Sequence, residues 1–293
     1  MKNIAFIINP ISGTLNKRRI PKIIEKSLDR SRWSYDIVFT KYRGNGTELA
    51  AQYANMDFDA VVAVGGDGTM NEVGCGLRHT NTAMGIIPIG SGNGLARHLH
   101  IPLTVERAVK MLNNSEPVSI DYGLVNEQPF FCTCGSGFDA FISSKYAASG
   151  RRGFTSYLQQ IVKGVFQYDA DHYHLIGDDI DIETDAFVIT FANANQWGNN
   201  GFIAPQASLQ DGIMNIAIVS TFPLLAVPGM ALELFTKNID KDSYVNTIKA
   251  RQVKLIRNHE GDFHFDGEPL QLGKEIDIRI VPDGLKVLVE KRF

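Results

Sequence analysis

Four short apolar runs near the start of the chain, each ending in a polar or glycine-rich turn, limit its fold more than any other feature. Residues 4–8 run into Asn9-Pro10-Ile11-Ser12-Gly13, residues 35–39 into Thr40, residues 60–64 into Gly65-Gly66-Asp67-Gly68-Thr69, and residues 84–89 into Gly90-Ser91-Gly92-Asn93-Gly94. Helical texture lies between and after them, with Thr47 ahead of residues 48–54 and Thr104 ahead of residues 105–112 as N-cap residues. Strands alternating with helices build βαβ units, and parallel strands so connected all end on one edge of a sheet. The four turns are therefore expected side by side on the carboxyl-terminal edge, where open α/β sheets bind ligands.

Beyond residue 127 the texture changes. Residues 186–192 and 276–281 alternate with period two, and Asp-Gly pairs punctuate the run, which reads as mostly antiparallel β. Helical stretches at residues 155–165 and 223–235 interrupt it. The boundary falls near Asp121-Tyr122-Gly123, the only turn signal there. We therefore divide the chain into an α/β domain, residues 1–124, and a β-rich domain, residues 125–283.

Composition removes several classes of function. With 44% hydrophobic and 21% charged residues over 293 positions, the chain can bury a sizeable core. Cys75, Cys132 and Cys134 form neither a metal-ligand quartet nor an even disulfide framework, which fits a reducing, cytoplasmic location. Residues 4–8 are too short an apolar run for a signal peptide, and residues 223–235 fall short of the ~20 needed to cross a bilayer. A net charge of −3 argues against nucleic-acid binding and against polybasic membrane binding, both of which need many Lys and Arg contacts to phosphate. Membrane contact, if made, is then local and transient.

The turn Gly65-Gly66-Asp67-Gly68-Thr69-Met70-Asn71-Glu72 carries the strongest chemical signal. Glycine lets backbone pass close to phosphates, and the following helix offers N–H donors and its positive dipole end. A bare carboxylate there would repel phosphate, so Asp67 makes sense as a magnesium partner or as the base receiving a hydroxyl proton. The plainer alternative is a tight strand-to-helix turn with Asp as cap. Gly90-Ser91-Gly92-Asn93-Gly94 repeats the logic, and Asn9 with Ser12-Gly13 adds a third loop. Lys17-Arg18-Arg19 could meet nucleotide phosphates or form a solvated helix face. Neither a Walker A motif nor a Rossmann fingerprint is present.

In the second half, Asp266-Gly267-Glu268 is either a pair of carboxylates aimed at a metal or a hairpin turn, and Asp211-Gly212 shares the ambiguity. Asp283-Gly284 reads as a turn. The apolar stretch at residues 223–230 reads first as a core helix, with shallow docking in lipid as the alternative.

Together these elements resemble the diacylglycerol kinase catalytic-domain family, which includes bacterial lipid kinases and sphingosine kinases. The resemblance runs nearly end to end through Asn9-Pro10-x-Ser12-Gly13, Gly65-Gly66-Asp67-Gly68-Thr69 with Asn71-Glu72, Gly90-Ser91-Gly92-Asn93, Gly135-x-Gly137-Phe138-Asp139-Ala140, Ala204-Pro205-x-Ala207 with Asp211-Gly212, and Asp266-Gly267-Glu268. It implies a β-sandwich-like second domain, an active site in the interdomain cleft, and a last strand, residues 284–293, returning to the first domain. It also implies an enzyme that moves the γ-phosphate of ATP, with Mg2+, onto a lipid hydroxyl. Asn9, Ser12, Gly13, Thr40, Gly65, Gly66, Gly68, Thr69, Ser91, Gly92 and Asn93 would then hold the nucleotide, and Asp67, Asp266 and Glu268 would be catalytic. Asp139 would approach the lipid head group, Arg151 or Arg152 would reach phosphate, and Asp211 with the carbonyls of Leu209 and Met214 would hold a structural magnesium. Expected partners are a nucleotide, lipid at a membrane surface and a second copy as a homodimer. Gly94-Leu95-Ala96 departs from the Asp-Phe-Ala of many bacterial relatives, which leaves diacylglycerol and a sphingoid or ceramide-like lipid both open as acceptor. The rival readings are an NAD kinase-like enzyme with a soluble acceptor and a catalytically silent regulator.

Overall fold

The computed structural model describes residues 1–13, 19–149, 160, 164–165, 167–177 and 179–291. Lys17, Arg18, Arg151 and Arg152 lie outside them, as does the helix expected at residues 155–165 save for 160, 164 and 165. The chain divides into two compact units, Met1–Ile120 with Asp283–Phe293, and Asp121–Pro282. The expected divisions are 124/125, from sequence texture, and 283/284, from the family resemblance.

The first unit is built on strands β1 (Lys2–Ile8), β2 (Trp33–Phe39), β3 (Ala60–Gly65) and β4 (Ala83–Pro88), all parallel, in the order β2-β1-β3-β4. Every residue of β3 and β4 is buried, as continuous apolar strands covered on both faces require. The helices are α1 (Ile20–Ser27), α2 (Asn45–Asn55), α3 (Asp67–Leu77), α4 (Gly94–His98) and α5 (Val105–Leu112). α1 packs against α5 and α2 against α3. β1 pairs with β2 on one side and β3 on the other, so the strand order reverses between β1 and β3, and the turns after these two strands flank the crevice where such sheets bind ligands. One expectation changes here: α2 starts at Asn45 behind Gly44, and the Thr47 hydroxyl instead donates to the Glu72 carbonyl at 2.8 Å.

The second unit follows β5 (Ser115–Val125), which enters it from the first, and β6 (Gln128–Phe130). Its further elements are β7 (Thr133–Gly137), α6 (Phe138–Ala148), β8 (Asp171–Gly177), β9 (Ile180–Ala186), β10 (Val188–Ala192), β11 (Met214–Val219), α7 (Val227–Thr236), β12 (Val245–Ala250), β13 (Gln252–Arg257), β14 (Gly261–Phe265), β15 (Glu268–Leu272) and β16 (Glu275–Glu290). One sheet, β12-β11-β10-β7-β14-β15, is antiparallel throughout. The antiparallel set formed by the first part of β16 with β13, β8 and β9 packs on it through Phe191, Ile216 and Phe263 against Leu175, Leu255 and Ile278. The result is a β-sandwich. The other face of the first sheet buries Phe187, Val188 and Val219 against Phe138 and Ile142 of α6.

Three expectations change in this unit. Residues 186–192 form two strands, because the chain switches sheets at Phe187: β9 pairs with β8 in one layer and β10 with β7 in the other. Asp283-Gly284 is no hairpin turn; Asp283, at φ 51°, lies inside the sixteen-residue β16 where that strand passes from the second unit into the first. The stretch at residues 223–235 is a short 3-10 turn, Leu224–Ala226, followed by α7, and neither contains a buried residue. It is not a core helix. Among the described residues no helix is long and apolar enough to cross a membrane.

Candidate active site

Asp67 is the first residue of α3, directly after β3. Its Oδ2 accepts the Asn93 N–H at 2.8 Å and its Oδ1 the Gly94 N–H at 2.7 Å. These donors belong to the turn after β4, which the Asn93 side chain closes by accepting the Gly90 N–H at 3.0 Å and donating to the Gly90 carbonyl at 2.8 Å. The two glycine turns also meet backbone to backbone: a Cβ added at Gly90 would stand 2.5 Å from the Gly66 Cα. No other residue fits there.

The turn after β1 joins the same group. Asn9 Nδ2 donates to the Thr69 hydroxyl at 3.0 Å, and Ser12 Oγ lies 3.4 Å from that hydroxyl. Gly13, at φ 60°, presses on the Ile89 carbonyl, which a Cβ would overlap at 1.8 Å. The buried Thr40 stands beside this turn, its N–H donating to the Ile8 carbonyl at 3.0 Å. Asn9, Ser12, Gly13, Gly65, Gly66, Asp67, Gly68, Thr69, Gly92 and Asn93 are thus gathered where the strand order reverses, with exposed Ser91 on the rim. The positive end of α3 starts within this cluster, a setting that favours an anion.

Glu72 was legible only as a member of the motif. Its Oε1 and Oε2 accept the Gly44 and Gly46 N–H groups at 2.8 and 2.9 Å. It ties the N-terminus of α2 to α3, which fixes the turn after β2.

In the second unit Asp266 and Gly267 stand at φ 47° and 80° between β14 and β15, the paired left-handed conformation of a two-residue hairpin. The Asp266 carboxylate accepts N–H groups from Phe131 at 2.9 Å, Cys132 at 2.7 Å and Thr133 at 3.2 Å. It locks the hairpin to the segment entering β7. Glu268 opens β15 and is half-buried.

Asp139, in the first turn of α6, is buried. Its Oδ1 accepts the Ala140 N–H at 2.8 Å, and its Oδ2 meets the Thr190 hydroxyl at 3.1 Å and His264 Nε2 at 2.9 Å. Sequence reading missed His264 as its partner. A signal was present: period two along Phe263-His264-Phe265 puts the histidine on the opposite face from the two phenylalanines. Arg257 was missed too. It is buried, and its guanidinium donates to the carbonyls of Gly273, Asp262, Gly261 and Leu272 and to the Ser136 hydroxyl at 2.6–3.1 Å. Burial pulls its pKa below the usual arginine value. The period-two pattern of β13, in which Val253, Leu255 and Arg257 all point inward, was the available sign.

Asp211 is exposed, and its Oδ1 accepts the Ile213 N–H at 3.2 Å. The carbonyl of buried Leu209 accepts the Asp121 N–H at 2.7 Å, and buried Met214 begins β11. Unanticipated was Asp121, 2% exposed, whose Oδ2 accepts the Gly212 N–H at 2.7 Å and braces this turn. Among the described residues no group of three or more His, Cys, Asp or Glu is gathered on one point. The carboxylate and carbonyl oxygens present suit a hard cation such as magnesium, which keeps several waters and takes few protein ligands.

Residues 3–125 match the diacylglycerol kinase catalytic domain, and residues 132–289 match the YegS C-terminal NAD kinase beta sandwich-like domain. The chain belongs to the diacylglycerol kinase catalytic-domain family. Relatives in it include proteins named "Probable lipid kinase YegS-like". One from Yersinia enterocolitica is 26% identical over 254 residues, 83% of either chain. Another from Cronobacter sakazakii is 28% identical over 263 residues, 86% of this chain and 85% of that one. A diacylglycerol kinase structure from Bacillus anthracis str. Sterne shares the fold at a TM-score of 0.76 and 18% identity, covering 99% of this chain and 97% of that one. The two domain matches of this family member divide between residues 125 and 132.

Proposed function

We propose that this protein is a lipid kinase that transfers the γ-phosphoryl group of ATP, with magnesium, to the hydroxyl of diacylglycerol or of a sphingoid or ceramide-like lipid. The observation that carries the reading is Asp67, a carboxylate held in fixed orientation by two backbone N–H groups amid three turns suited to phosphate. The names of the relatives support the lipid acceptor.

Phosphoryl transfer asks a protein mainly for positioning and charge neutralisation. Asn9, Ser12, Thr40, Thr69, Ser91, Asn93 and the glycines of the three turns position the triphosphate, and Asp67 receives the acceptor proton. In the second unit Asp266 holds the hairpin and Glu268 is the carboxylate that hairpin presents. Magnesium, when bound, offsets the charge of the triphosphate; Asp67 and Glu268 are the candidate ligands in their respective units. Asp211, with the Leu209 and Met214 carbonyls, would hold a second ion that shapes its turn.

The test is transfer of labelled γ-phosphate from ATP with magnesium to diacylglycerol, sphingosine and ceramide in mixed micelles and to NAD without detergent. Label on a lipid, reduced by about 10²–10⁴ in Asp67→Ala, is expected for a lost general base. A second reading, phosphorylation of a soluble acceptor, draws on the NAD kinase-like description of the C-terminal domain. Label on NAD alone would establish it, and nucleotide binding without transfer to any acceptor would leave a regulator.

A further inference from the structure

The 3-10 turn Leu224–Ala226 and helix α7 expose Leu225 at 94%, Leu232 at 65%, Leu224 at 51% and Phe235 at 50%. A surface helix ordinarily turns its charged residues to water and its apolar stripe to the core. Here Met230 and Leu234, one turn apart, pack on the core beside Val219 and Ile239, while the outward positions Pro223, Leu224, Leu225, Pro228, Gly229, Ala231, Leu232 and Phe235 carry no charge. Glu233, the one charged residue in the helix, is half-buried.

What surrounds the patch points to its occupant. Lys237 ends α7 in the left-handed conformation, exposed, with its ammonium 4.6 Å from the Phe202 ring, and Lys241 is exposed one turn further on. Of the acids at this corner, Glu233 and Asp240 each have one carboxylate oxygen shielded from solvent, and half-buried Asp242 accepts the Tyr244 N–H at 2.7 Å. The loop carrying Trp197 closes on the helix, since the Phe202 N–H donates to the Leu234 carbonyl and the Trp197 N–H to the Gly201 carbonyl, both at 3.0 Å. Trp197 is 37% exposed. Apolar side chains, outward lysines and a half-exposed tryptophan match an anionic membrane surface, where lysine meets lipid phosphate and tryptophan favours the headgroup level.

We propose that residues 223–237, with Trp197 and Lys241, form a docking face for anionic bilayers. The inference rests on the lipid kinase reading in that docking would deliver the enzyme to an acceptor it cannot meet in water.

The test is flotation of the full chain with vesicles of phosphatidylcholine alone or with added phosphatidylglycerol, alongside fluorescence of Trp197; the only other tryptophan, Trp33, is buried. The wild type is expected to float with the anionic vesicles and shift its emission to the blue. Leu225→Asp with Leu232→Asp should weaken binding by about tenfold or more, and Lys237→Glu with Lys241→Glu by a smaller factor. Both pairs should phosphorylate micellar lipid at the wild-type rate while losing activity on vesicles. A wild type that stays unbound, or a leucine pair that floats unchanged, overturns the docking face. So does a wild-type dimer in sedimentation that the leucine pair dissociates without any vesicle binding, which assigns the patch to a second copy. Absence of micellar activity in the wild type would sink the lipid kinase reading and leave the flotation result standing.

Discussion

Asp67-Gly68 and Asp266-Gly267 are the same dipeptide put to different ends. Asp67 starts a helix on the edge of a parallel sheet and takes its N–H donors from the turn after the neighbouring strand. Asp266 sits in a hairpin and takes three donors from the segment entering an adjacent strand. The first carboxylate couples two phosphate-shaped turns; the second couples strands. The partners, turns in one case and strand-entering backbone in the other, mark Asp266 as the more structural aspartate, and the one that orients the glycine turns is the better candidate for chemistry.

The largest expected effect separates them. Asp67→Ala should cost about 10²–10⁴ in phosphoryl transfer and, through the Asn93 and Gly94 N–H groups that this half-buried carboxylate leaves, about 1–3 kcal/mol of stability. Asp266→Ala strands three N–H groups and should cost more stability, about 2–5 kcal/mol at 1–3 each with some regained from water. Initial rates and thermal melting of both variants decide it. An Asp266→Ala protein that melts like wild type would erase the distinction.

Arg257 braces the other end of the β14–β15 hairpin, through the carbonyls of Gly261, Leu272 and Gly273. Arg257→Met leaves these buried acceptors without a donor, and about 3 kcal/mol of destabilisation is expected in urea unfolding. A loss below about 1 kcal/mol would mean that water replaces the guanidinium.

The glycines sharpen the same contrast. Gly90→Ala drives a methyl to 2.5 Å from the Gly66 Cα, so it should part the two turns, cost about 1–3 kcal/mol and weaken ATP binding measured by calorimetry. Gly267, at φ 80°, has open space where a methyl would point, with nothing within 4 Å. Gly267→Ala should cost only about 1–2 kcal/mol of left-handed strain and leave ATP affinity unchanged.

The same difference explains what could be read in advance. In the parallel half, local pattern and tertiary role coincide, since each buried strand runs directly into the turn that forms the site. The family motifs there sit on one edge because the strands are parallel. In the sandwich, roles depend on partners far along the chain: Arg257 on Ser136, His264 on Asp139, Asp266 on Phe131. Period two gives the face a residue points to and not what it meets. The switch between sheets at Phe187 and the passage of β16 between units at Asp283 likewise follow from long-range pairing. The outward apolar face of α7 departs from ordinary burial, and hydrophobicity alone reads such a segment as core.

The smallest expected effect lies beside Asp266. Burial first, and the Asp266 and Asp139 carboxylates after it, push the Cys134 thiol well above its usual range. In the unfolded chain a cysteine ionises near pH 8.5, whereas this one stays protonated when folded. A raised folded pKa contributes stability that is fully present below the unfolded value and is lost as pH rises past it. Unfolding free energy should therefore fall above about pH 8.5 with a component of up to about 1.4 kcal/mol per pH unit. Cys134→Ala should remove that component and leave the slope below pH 8 unchanged. Asp266→Asn takes away one of the carboxylates, so the decline should level off at a lower pH than in the wild type. No counterpart is expected from Asp67→Asn, because the charges raising this thiol are those of the hairpin and of α6.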